Sequence, residues 1–300
     1  MKFAPPQRDV TSDTLPRMPR WVSPGPAEPP EDLAFMSGAA LAVLHLMVAR
    51  AEVPHALWRH RLALGAAEAC VGFAGRRERA PDLRDAAHLL RPGDHPGPAG
   101  EILQRWSRVV SRPISGTALH GAVPEMTADQ IALCLDTRPG NPISRAADVV
   151  AAVLTDNPRA EASALILADA ALARALGWDH IMPLLALGLK SRDLRKRDAD
   201  LRLACHRAIV TAAYGAMTLA ADLARRAQVL RAVVPKLRAK GADQAVALFL
   251  TRDALAPAAL TIAGRGGMSD RAARRLCDRL VDLGALRELT GRDTFRLYGV

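Results

Sequence analysis

A chain of 300 residues with 50% hydrophobic residues is long enough for one large or two medium-sized domains with a substantial core. Its aromatic content is 4%, and this alanine- and leucine-rich composition favours packed helices over β structure. The net charge of +10 indicates an acidic partner, with nucleic acid as the first candidate. The four cysteines are more than sixty residues apart, which excludes CxxC motifs and fits a reducing, cytoplasmic location.

Motifs that mark common enzymes are missing from the sequence. There is no GxxxxGK[ST] or GxGxxG phosphate loop, no HExxH zinc motif and no GxSxG nucleophile motif. Charges interrupt the apolar runs before roughly eighteen residues, the length that a membrane span requires. The residues after the first lysine also lack the apolar core of a secretory signal. The sequence therefore predicts a non-enzymatic cytoplasmic protein without a cofactor, a metal or a membrane partner.

Residues 1–30 form a proline-rich segment. They contain eight of the 21 prolines, and because proline lacks a backbone N–H, this density cannot sustain a helix. We expect a disordered tail over residues 1–30. Trp21 is the exception, since an isolated tryptophan in such a segment is expected to pack into a groove on the body.

Residues 31–240 have the apolar spacing of packed helices, which predicts an all-helical domain. The last of these helices is apolar nearly all round and should lie in the core. The predicted helices, in chain order, are Asp32–Arg50, Pro54–Phe73, Pro81–Leu90, Glu101–Ser111, Thr127–Leu135, Ser144–Leu154, Ala160–Leu176, His180–Leu189 and Ala199–Val234, with Thr127 and Ser144 as N-caps.

A stretch with three prolines and three glycines, Arg91–Gly100, interrupts this domain and predicts a rigid loop. It carries the adjacent residues Asp94 and His95, which a stiff frame could preorganise for catalysis. A tight structural turn explains the same residues more simply, and the sequence assigns them no partner. We therefore expect no catalytic site in this loop.

Positive charge is concentrated ahead of the last sixty residues. Lys190–Lys240 contains thirteen Lys and Arg against four Asp and Glu, an excess of nine that nearly equals the net charge of the chain. Its densest part is the run that ends in Arg195, Lys196 and Arg197. As a loop at one end of a long helix, this run could contact a phosphate backbone, which requires charge but no special geometry. The alternative is a loop whose charges are simply solvated.

The last sixty residues have the pattern of three short helices. Gln244–Leu250 and Pro257–Ile262 are the first two. Three glycines after them would form the turn that leads into the third helix, and these are Gly264, Gly266 and Gly267.

The third helix has both of its ends marked in the sequence. Ser269 can cap its N-terminus, and Gly284 can take the left-handed conformation that ends it. Two short β-prone runs follow, Leu286–Leu289 and Thr294–Tyr298, joined by a turn around Gly291. A capped helix, a glycine stop and a hairpin with basic residues are typical of a recognition helix and wing. The sequence therefore predicts a winged-helix domain over residues 241–300.

Arginines line the third helix and the hairpin. In a winged helix the third helix enters the major groove and the wing contacts the backbone or the minor groove. Arginine suits both places, because its planar fork can bond a phosphate or a guanine edge. The candidate DNA contacts are Arg271, Arg274, Arg275 and Arg279 on the helix, and Arg287, Arg292 and Arg296 on the wing.

The charge balance of the same residues supports an alternative. Residues 241–300 carry nine Lys and Arg against seven Asp and Glu, an excess of only two. Asp278 lies four residues after Arg274, so we expect these two side chains to pair. A solvated arginine face, or a winged helix that binds protein instead of DNA, fits this balance as well.

Five stretches spread over nearly the whole chain carry a family resemblance, and they are Leu15–Trp21, Leu90–Gly100, Leu176–Trp178 with Met182–Leu185, Pro235–Gly241 and Ser269–Val300. On these stretches the chain resembles a family of uncharacterised bacterial proteins, domain of unknown function 1403, found mainly in alphaproteobacteria and often on plasmids. The resemblance implies no activity, because this family has no assigned one.

The segment Leu286–Gly299 is also similar to the C-terminal winged helix of Fic-like proteins, in which a helical domain precedes it. Fic enzymes carry a motif of the form HPFxxGNGR, and the nearest stretch here, His95–Gly100, lacks its Phe, Asn and Arg. Nucleotidyl transfer is therefore not implied. The resemblance implies a helical body followed by a winged helix, without an enzyme.

Taken with the charges, these patterns favour a mainly α protein that binds double-stranded DNA through its last sixty residues, in transcription regulation or plasmid maintenance. Its helical body would form a homodimer or bind a protein partner. The alternative is an interaction subunit whose winged helix binds protein, as in chromosome- or plasmid-segregation complexes. An enzyme built on the Pro/Gly loop is a third hypothesis, and it has no recognisable site.

Overall fold

The described residues of the computed structural model are 15–23, 28–90, 93–136, 140–237, 239, 241–262, 268–292 and 295–300. Residues 1–14 and 24–27, which belong to the tail predicted to be disordered, lie outside them. The glycine turn predicted at residues 264–267 lies outside the described residues as well.

Thirteen α-helices and two short strands are present in the described ranges, which confirms the predicted mainly α class. Ten helices form the body, and these are α1 (Pro30–Val48), α2 (His55–Phe73), α3 (Ala80–Leu89), α4 (Gly97–Val110), α5 (Gly116–His120), α6 (Ala128–Cys134), α7 (Pro142–Asp156), α8 (Glu161–Ala175), α9 (Leu184–Gly188) and α10 (Asp198–Val233). The C-terminal module, residues 241–300, contains α11 (Ala242–Phe249), α12 (Pro257–Ile262), α13 (Asp270–Asp282), β1 (Arg287–Glu288) and β2 (Tyr298–Gly299).

Helix α10 lies at the centre of the body. Its 36 residues correspond to about 54 Å of helix, and buried residues recur along it from Leu201 to Val233. Helices α1, α7, α9 and α2 pack against it. The helix therefore contributes one side to the core, as predicted, but it is not covered all round, since Tyr214 and Val229 are exposed.

The neighbours of α10 approach its backbone directly. The indole Nε1 of Trp58 in α2 donates a hydrogen bond of 2.9 Å to the carbonyl of Ala216 in α10. A Cβ on Gly188 in α9 would collide with the backbone of Ala208, so no larger side chain fits at that position without a shift of the helices. These contacts fix α2 and α9 against α10.

Several helix boundaries in the body differ from the sequence predictions, and α5 was not predicted. The predicted loop to Gly100 ends earlier, because α4 begins at Gly97 and holds Pro98 in its first turn, where a missing N–H costs nothing. The helix predicted over His180–Leu189 is reduced to the short α9. A proline in the first turn decides where α4 begins. A contact with a distant residue, Asp169, decides where α9 begins.

Helix capping follows the sequence in two places and departs from it in a third. Thr127 and Ser269 cap α6 and α13 through their hydroxyl oxygens, as predicted. The predicted cap at Ser144 is wrong. Asn141 caps α7 instead, and its side-chain oxygen accepts hydrogen bonds from two backbone N–H groups, one of them that of Ser144.

Helix α1 is, among the described residues, one helix long and apolar enough to cross a membrane by length and composition alone. Core helices of soluble proteins pass the same test, and 39% of its apolar window is buried. It packs along α10, where Ser37 Oγ and His206 Nδ1 lie 2.6 Å apart between the two helices.

The described part of the N-terminal tail lies against the body. Leu15 and Val22 are buried. Trp21 stacks on Phe35 of α1 with ring centroids 5.5 Å apart. Its side chain nevertheless stays 55% exposed, so the groove expected for this tryptophan is wrong, and a surface stacking contact takes its place.

The C-terminal hairpin is shorter than the two β-prone runs that predicted it. Strands β1 and β2 are antiparallel, with Arg287 opposite Gly299 and Glu288 opposite Tyr298. Leu255, between α11 and α12, extends the sheet, because its N–H and carbonyl each bond the backbone of Tyr298 at 2.9 Å. The sequence did not predict this third contact.

A buried carboxylate holds α8, α9 and the segment between them together. Asp169 of α8 is 0% exposed and accepts hydrogen bonds of 2.8–3.2 Å from the backbone N–H groups of Leu184, Leu185 and Ala186. These are first-turn N–H groups of α9, which have no partner within the helix. Burial raises the pKa of Asp169 to about 7, while the three N–H donors oppose a further rise.

We expect Asp169 to make stability depend on pH. Its pKa is higher in the folded protein than the ordinary value of 3.8, so its contribution is complete below pH 3.8 and is lost as pH rises towards 7. The difference in unfolding free energy between the native protein and Asp169→Asn should therefore change by about 4 kcal/mol from acidic to neutral pH. Urea unfolding at several pH values measures it.

The matched control for this experiment is Asp243→Asn, because Asp243 is exposed at the start of α11. The difference in unfolding free energy between this variant and the native protein should stay constant over the same pH range. A constant difference for Asp169→Asn would contradict the prediction and would mean that this carboxyl has the same pKa in the folded and the unfolded protein.

Candidate nucleic-acid interface

Helix α13 has one apolar face and one charged face. Ala273, Leu276, Cys277 and Leu280 are buried, as their spacing predicted. Gly284 ends the helix with a φ of +68°, in the left-handed region that favours glycine. The buried face fixes the rotation of α13, and the arginines therefore point away from the module core.

Three arginines form a row along the exposed face of α13. Arg271, Arg275 and Arg279 follow one another at intervals of four residues, and all three are exposed. Within the described part of the chain, none of their side chains has a hydrogen bond or an ion pair. The row extends over about 12 Å of helix. We call it the arginine row.

The fourth arginine of this helix is paired, but not with the predicted partner. Arg274 Nε lies 3.0 Å from Asp270 Oδ2, one turn before it. Asp278, which the spacing assigned to Arg274, accepts a hydrogen bond of 3.1 Å from the hydroxyl of Tyr298 instead. The predicted Arg274–Asp278 pair is therefore wrong, because the strand β2 supplies a competing donor.

The wing arginines have three different surroundings. Arg287 is exposed and has no side-chain partner among the described residues. Arg296 Nε lies 3.9 Å from Glu288 Oε2. Arg292 reaches out of the module, and its Nη2 lies 3.0 Å from Asp85 Oδ2 on α3. The structure thus brings Arg287 and Arg296 to the module surface and ties Arg292 to the body.

A second contact holds the module against the body. The carboxylate of Asp253, between α11 and α12, accepts from Arg84 Nε at 2.6 Å and forms an ion pair with Arg61 of α2. Arg61 Nη2 also donates to the carbonyls of Asp253 and Val300 at 3.2 and 3.3 Å. The three charged side chains are at most 20% exposed. The sequence did not indicate this cluster, since each arginine is 169 residues or more from Asp253.

The basic run Lys190–Arg197 lies at the opposite end of α10 from the start of the module. Arg195 is exposed, Lys196 Nζ lies 2.7 Å from Asp193 Oδ1, and Arg197 bonds backbone carbonyls of its own loop. Because α10 separates the two by about 54 Å of helix axis, the structure does not join this loop to the start of the module.

A family model for proteins of this type matches residues 7–300, under the description Protein of unknown function (DUF1403). The chain belongs to this family. No curated protein matches the chain. Membership of the DUF1403 family therefore agrees with the resemblance seen in the five stretches, and it assigns no activity.

Three cysteines of this DUF1403 protein are buried. Burial raises the pKa of the Cys70, Cys205 and Cys277 thiols to about 12. Such thiols are neutral at physiological pH and are poor nucleophiles. Among the described residues, no group of three or more His, Cys, Asp or Glu side chains could hold a metal ion. Asp94 and His95 lie exposed before α4.

We expect the Asp253 cluster to stabilise the protein strongly. Replacement by alanine leaves two mostly buried arginines without their shared carboxylate, and removal of one member of a buried ion pair costs about 3 kcal/mol or more. Asp253→Ala should lower the unfolding free energy by that amount in urea denaturation. Asp243→Ala, an exposed carboxylate of the same module, serves as the control and should cost less than about 0.5 kcal/mol.

A loss for Asp253→Ala as small as for the control would contradict this expectation. It would mean that Arg61 and Arg84 are solvated well enough in solution to need no partner.

Proposed function

We propose that the C-terminal module is a winged helix that binds double-stranded DNA, with α13 as the helix that enters the major groove. The observation that carries this proposal is the arginine row, Arg271, Arg275 and Arg279, exposed and unpaired on a helix that is itself well fixed. The row extends over about 12 Å along one face of the helix, and the major groove of B-DNA is wide enough to admit an α-helix.

The order of elements supports the winged helix. The module runs from α11 through the extended residue Leu255 to α12 and α13, and then into the antiparallel strands β1 and β2. Leu255 joins the sheet beside β2, so that one edge residue and two strands lie together. In a winged helix the same order places the third helix next to the hairpin.

The electrostatics of the row support an anionic partner. Like charges four residues apart on a helix destabilise it by a few tenths of a kcal/mol for each pair. The row contains two such pairs, Arg271 with Arg275 and Arg275 with Arg279, and a phosphate backbone would remove their repulsion. Arginine forks also suit phosphate and the N7 and O6 atoms of guanine.

The wider role that we propose is non-enzymatic, in transcription regulation or plasmid maintenance. The second role rests on the resemblance to a family often found on plasmids in alphaproteobacteria. A helical body followed by a winged helix, the order found in Fic-like proteins, is consistent with either role. This chain lacks the Fic motif. The body would then serve to form a dimer or to bind a protein partner.

A second candidate is a module that binds protein rather than DNA. The observation that favours it is the wing, because Arg292 is engaged with Asp85 of α3 and Arg296 lies near Glu288. Only part of the wing charge is then available for a backbone contact. Under this hypothesis the arginine row would bind an acidic protein surface.

The arginine row can be tested with a triple variant, Arg271→Ala/Arg275→Ala/Arg279→Ala. If the row contacts phosphates, affinity for a random duplex should fall at least about tenfold, and the log–log salt slope should decrease by about 2.7, which is 0.9 for each contact. Fluorescence anisotropy over a range of salt concentrations measures both quantities.

The matched control removes the same charge elsewhere, in Arg112→Ala/Arg159→Ala/Arg231→Ala. These three arginines are exposed and have no side-chain partner in the described part of the chain. If both variants lose affinity equally, binding follows the overall charge and the proposed interface is wrong. If the native protein binds no duplex at low salt, the protein-binding alternative replaces the DNA proposal.

The basic loop can be tested by the length of the duplex. Along α10 the loop lies about 54 Å from the start of the module, and this distance corresponds to about 16 base pairs. The variant Arg195→Ala/Lys196→Ala/Arg197→Ala should therefore weaken binding to a duplex of about 40 base pairs and leave binding to one of about 12 unchanged. Equal losses on both duplexes would contradict the separation of the two contacts.

A further inference from the structure

The body and the C-terminal module line an open pocket of about 490 Å³. Helices α2, α3 and α4 line it on one side, and the segment from α11 to α12 lines it on the other. Its polar lining consists of His60, Arg84, His88, Ser107, Arg252 and Asp253, and the remaining seven lining residues are leucines and alanines. We call it the junction pocket.

The size and lining of the junction pocket are those of a small-molecule site. Ligand pockets in proteins measure roughly 300–1,000 Å³, are mostly apolar with a few convergent polar groups, and occur preferentially between structural units. Here leucines such as Leu64, Leu103 and Leu255 supply the apolar walls. The polar groups come from both sides of the junction.

The charge around the pocket is positive. Asp253 is already shared between Arg61 and Arg84, so one carboxylate faces two guanidinium groups. Arg252, the neighbouring residue, is exposed and has no side-chain hydrogen bond or ion pair in the described ranges. Asp85 of α3 does not compensate, because it pairs with Arg292 of the wing. The pocket therefore has an excess of positive charge, which a bound anion would balance.

His60, one of the two histidines at the pocket wall, adds a neutral polar group. Burial lowers the pKa of His60, and the charge of Arg252 acts in the same direction. Its Nε2 lies 3.3 Å from Ser111 Oγ, outside the pocket lining. A neutral imidazole can donate or accept a hydrogen bond without adding a charge. It could thus orient a ligand whose anionic group is held by Arg252.

We propose that the junction pocket binds a small organic anion, a molecule with one carboxylate or phosphate group and an apolar body. The anionic group lies at Arg252, and the apolar body lies against the leucines and alanines of the two walls. The proposal does not depend on DNA binding. Because the ligand touches both the body and the module, binding stabilises their junction.

Two anionic probes and a neutral one test this proposal on the full-length protein. Benzoate and phenyl phosphate represent the two anionic groups, and benzamide keeps the ring without the charge. We expect at least one anion to bind with a dissociation constant of about 1 mM or tighter in calorimetry, and benzamide to bind at least tenfold more weakly, about 1.4 kcal/mol. The same anion should raise the melting temperature. The stronger of the two anions identifies the carboxylate or the phosphate class.

Variants locate the binding. Arg252→Ala should weaken anion binding at least about tenfold, Arg252→Lys should retain most of it, and Arg112→Ala, an exposed arginine outside the pocket, should change it less than about twofold. Ala87→Phe fills the pocket from α3 and should abolish binding. Since Arg252 is exposed, its replacement leaves the fold intact even if Ala87→Phe does not fold.

Three results would overturn the proposal. The first is that neither anion binds at millimolar concentration. The second is that benzamide binds as tightly as the anions, which would remove the role of charge. The third is that Arg252→Ala binds as the native protein does, which would place the anion elsewhere. The DNA affinity of the native protein is measured separately, so failure here leaves the DNA proposal standing.

Discussion

The body is organised by the need to cover α10. Buried residues recur along the whole of α10, and at about 54 Å this helix is too long for a single neighbour to cover them. Four helices share that surface, and two of them touch the backbone itself, through the indole of Trp58 and the bare Cα of Gly188. The other helices pack on this first layer. The module then attaches to α2 and α3, one layer away from α10.

Signals that are local in sequence were sufficient to predict much of this fold. The apolar spacing of α13, its cap at Ser269 and its stop at Gly284 all lie within sixteen residues, and each was confirmed. The run of apolar residues over Ala199–Val234 likewise predicted the length of α10, which spans Asp198–Val233. Even the hairpin after α13 was found in the expected place, although β1 and β2 are only two residues long. The predicted boundary was wrong where a distant side chain bonds the first N–H groups of a helix, as Asp169 does for α9.

Contacts between distant residues could not be predicted. Nothing near Asp253 in the sequence indicates that two arginines from α2 and α3 share its carboxylate. The sequence also gave no sign of the ion pair between Asp85 and Arg292. It gave none of the hydrogen bond from Tyr298 to Asp278, which was expected to pair with Arg274. Of these three contacts, the one between Asp85 and Arg292 engages an arginine of the module. The sequence named the candidate arginines as one set, and only the fold divides that set into unpaired and paired members.

The rate at which the buried cysteines are alkylated reports local unfolding of the structure around each of them. Cys205 lies in α10 and Cys277 in α13, and both are buried with a pKa raised to about 12, so an alkylating reagent reaches them only when the surrounding structure opens. Cys134 of α6 is partly exposed and provides the internal reference. If Cys277 is labelled faster than Cys205, the module opens by itself while the body stays folded. If the two rates are equal, the ion pairs at the junction make the body and the module one cooperative unit.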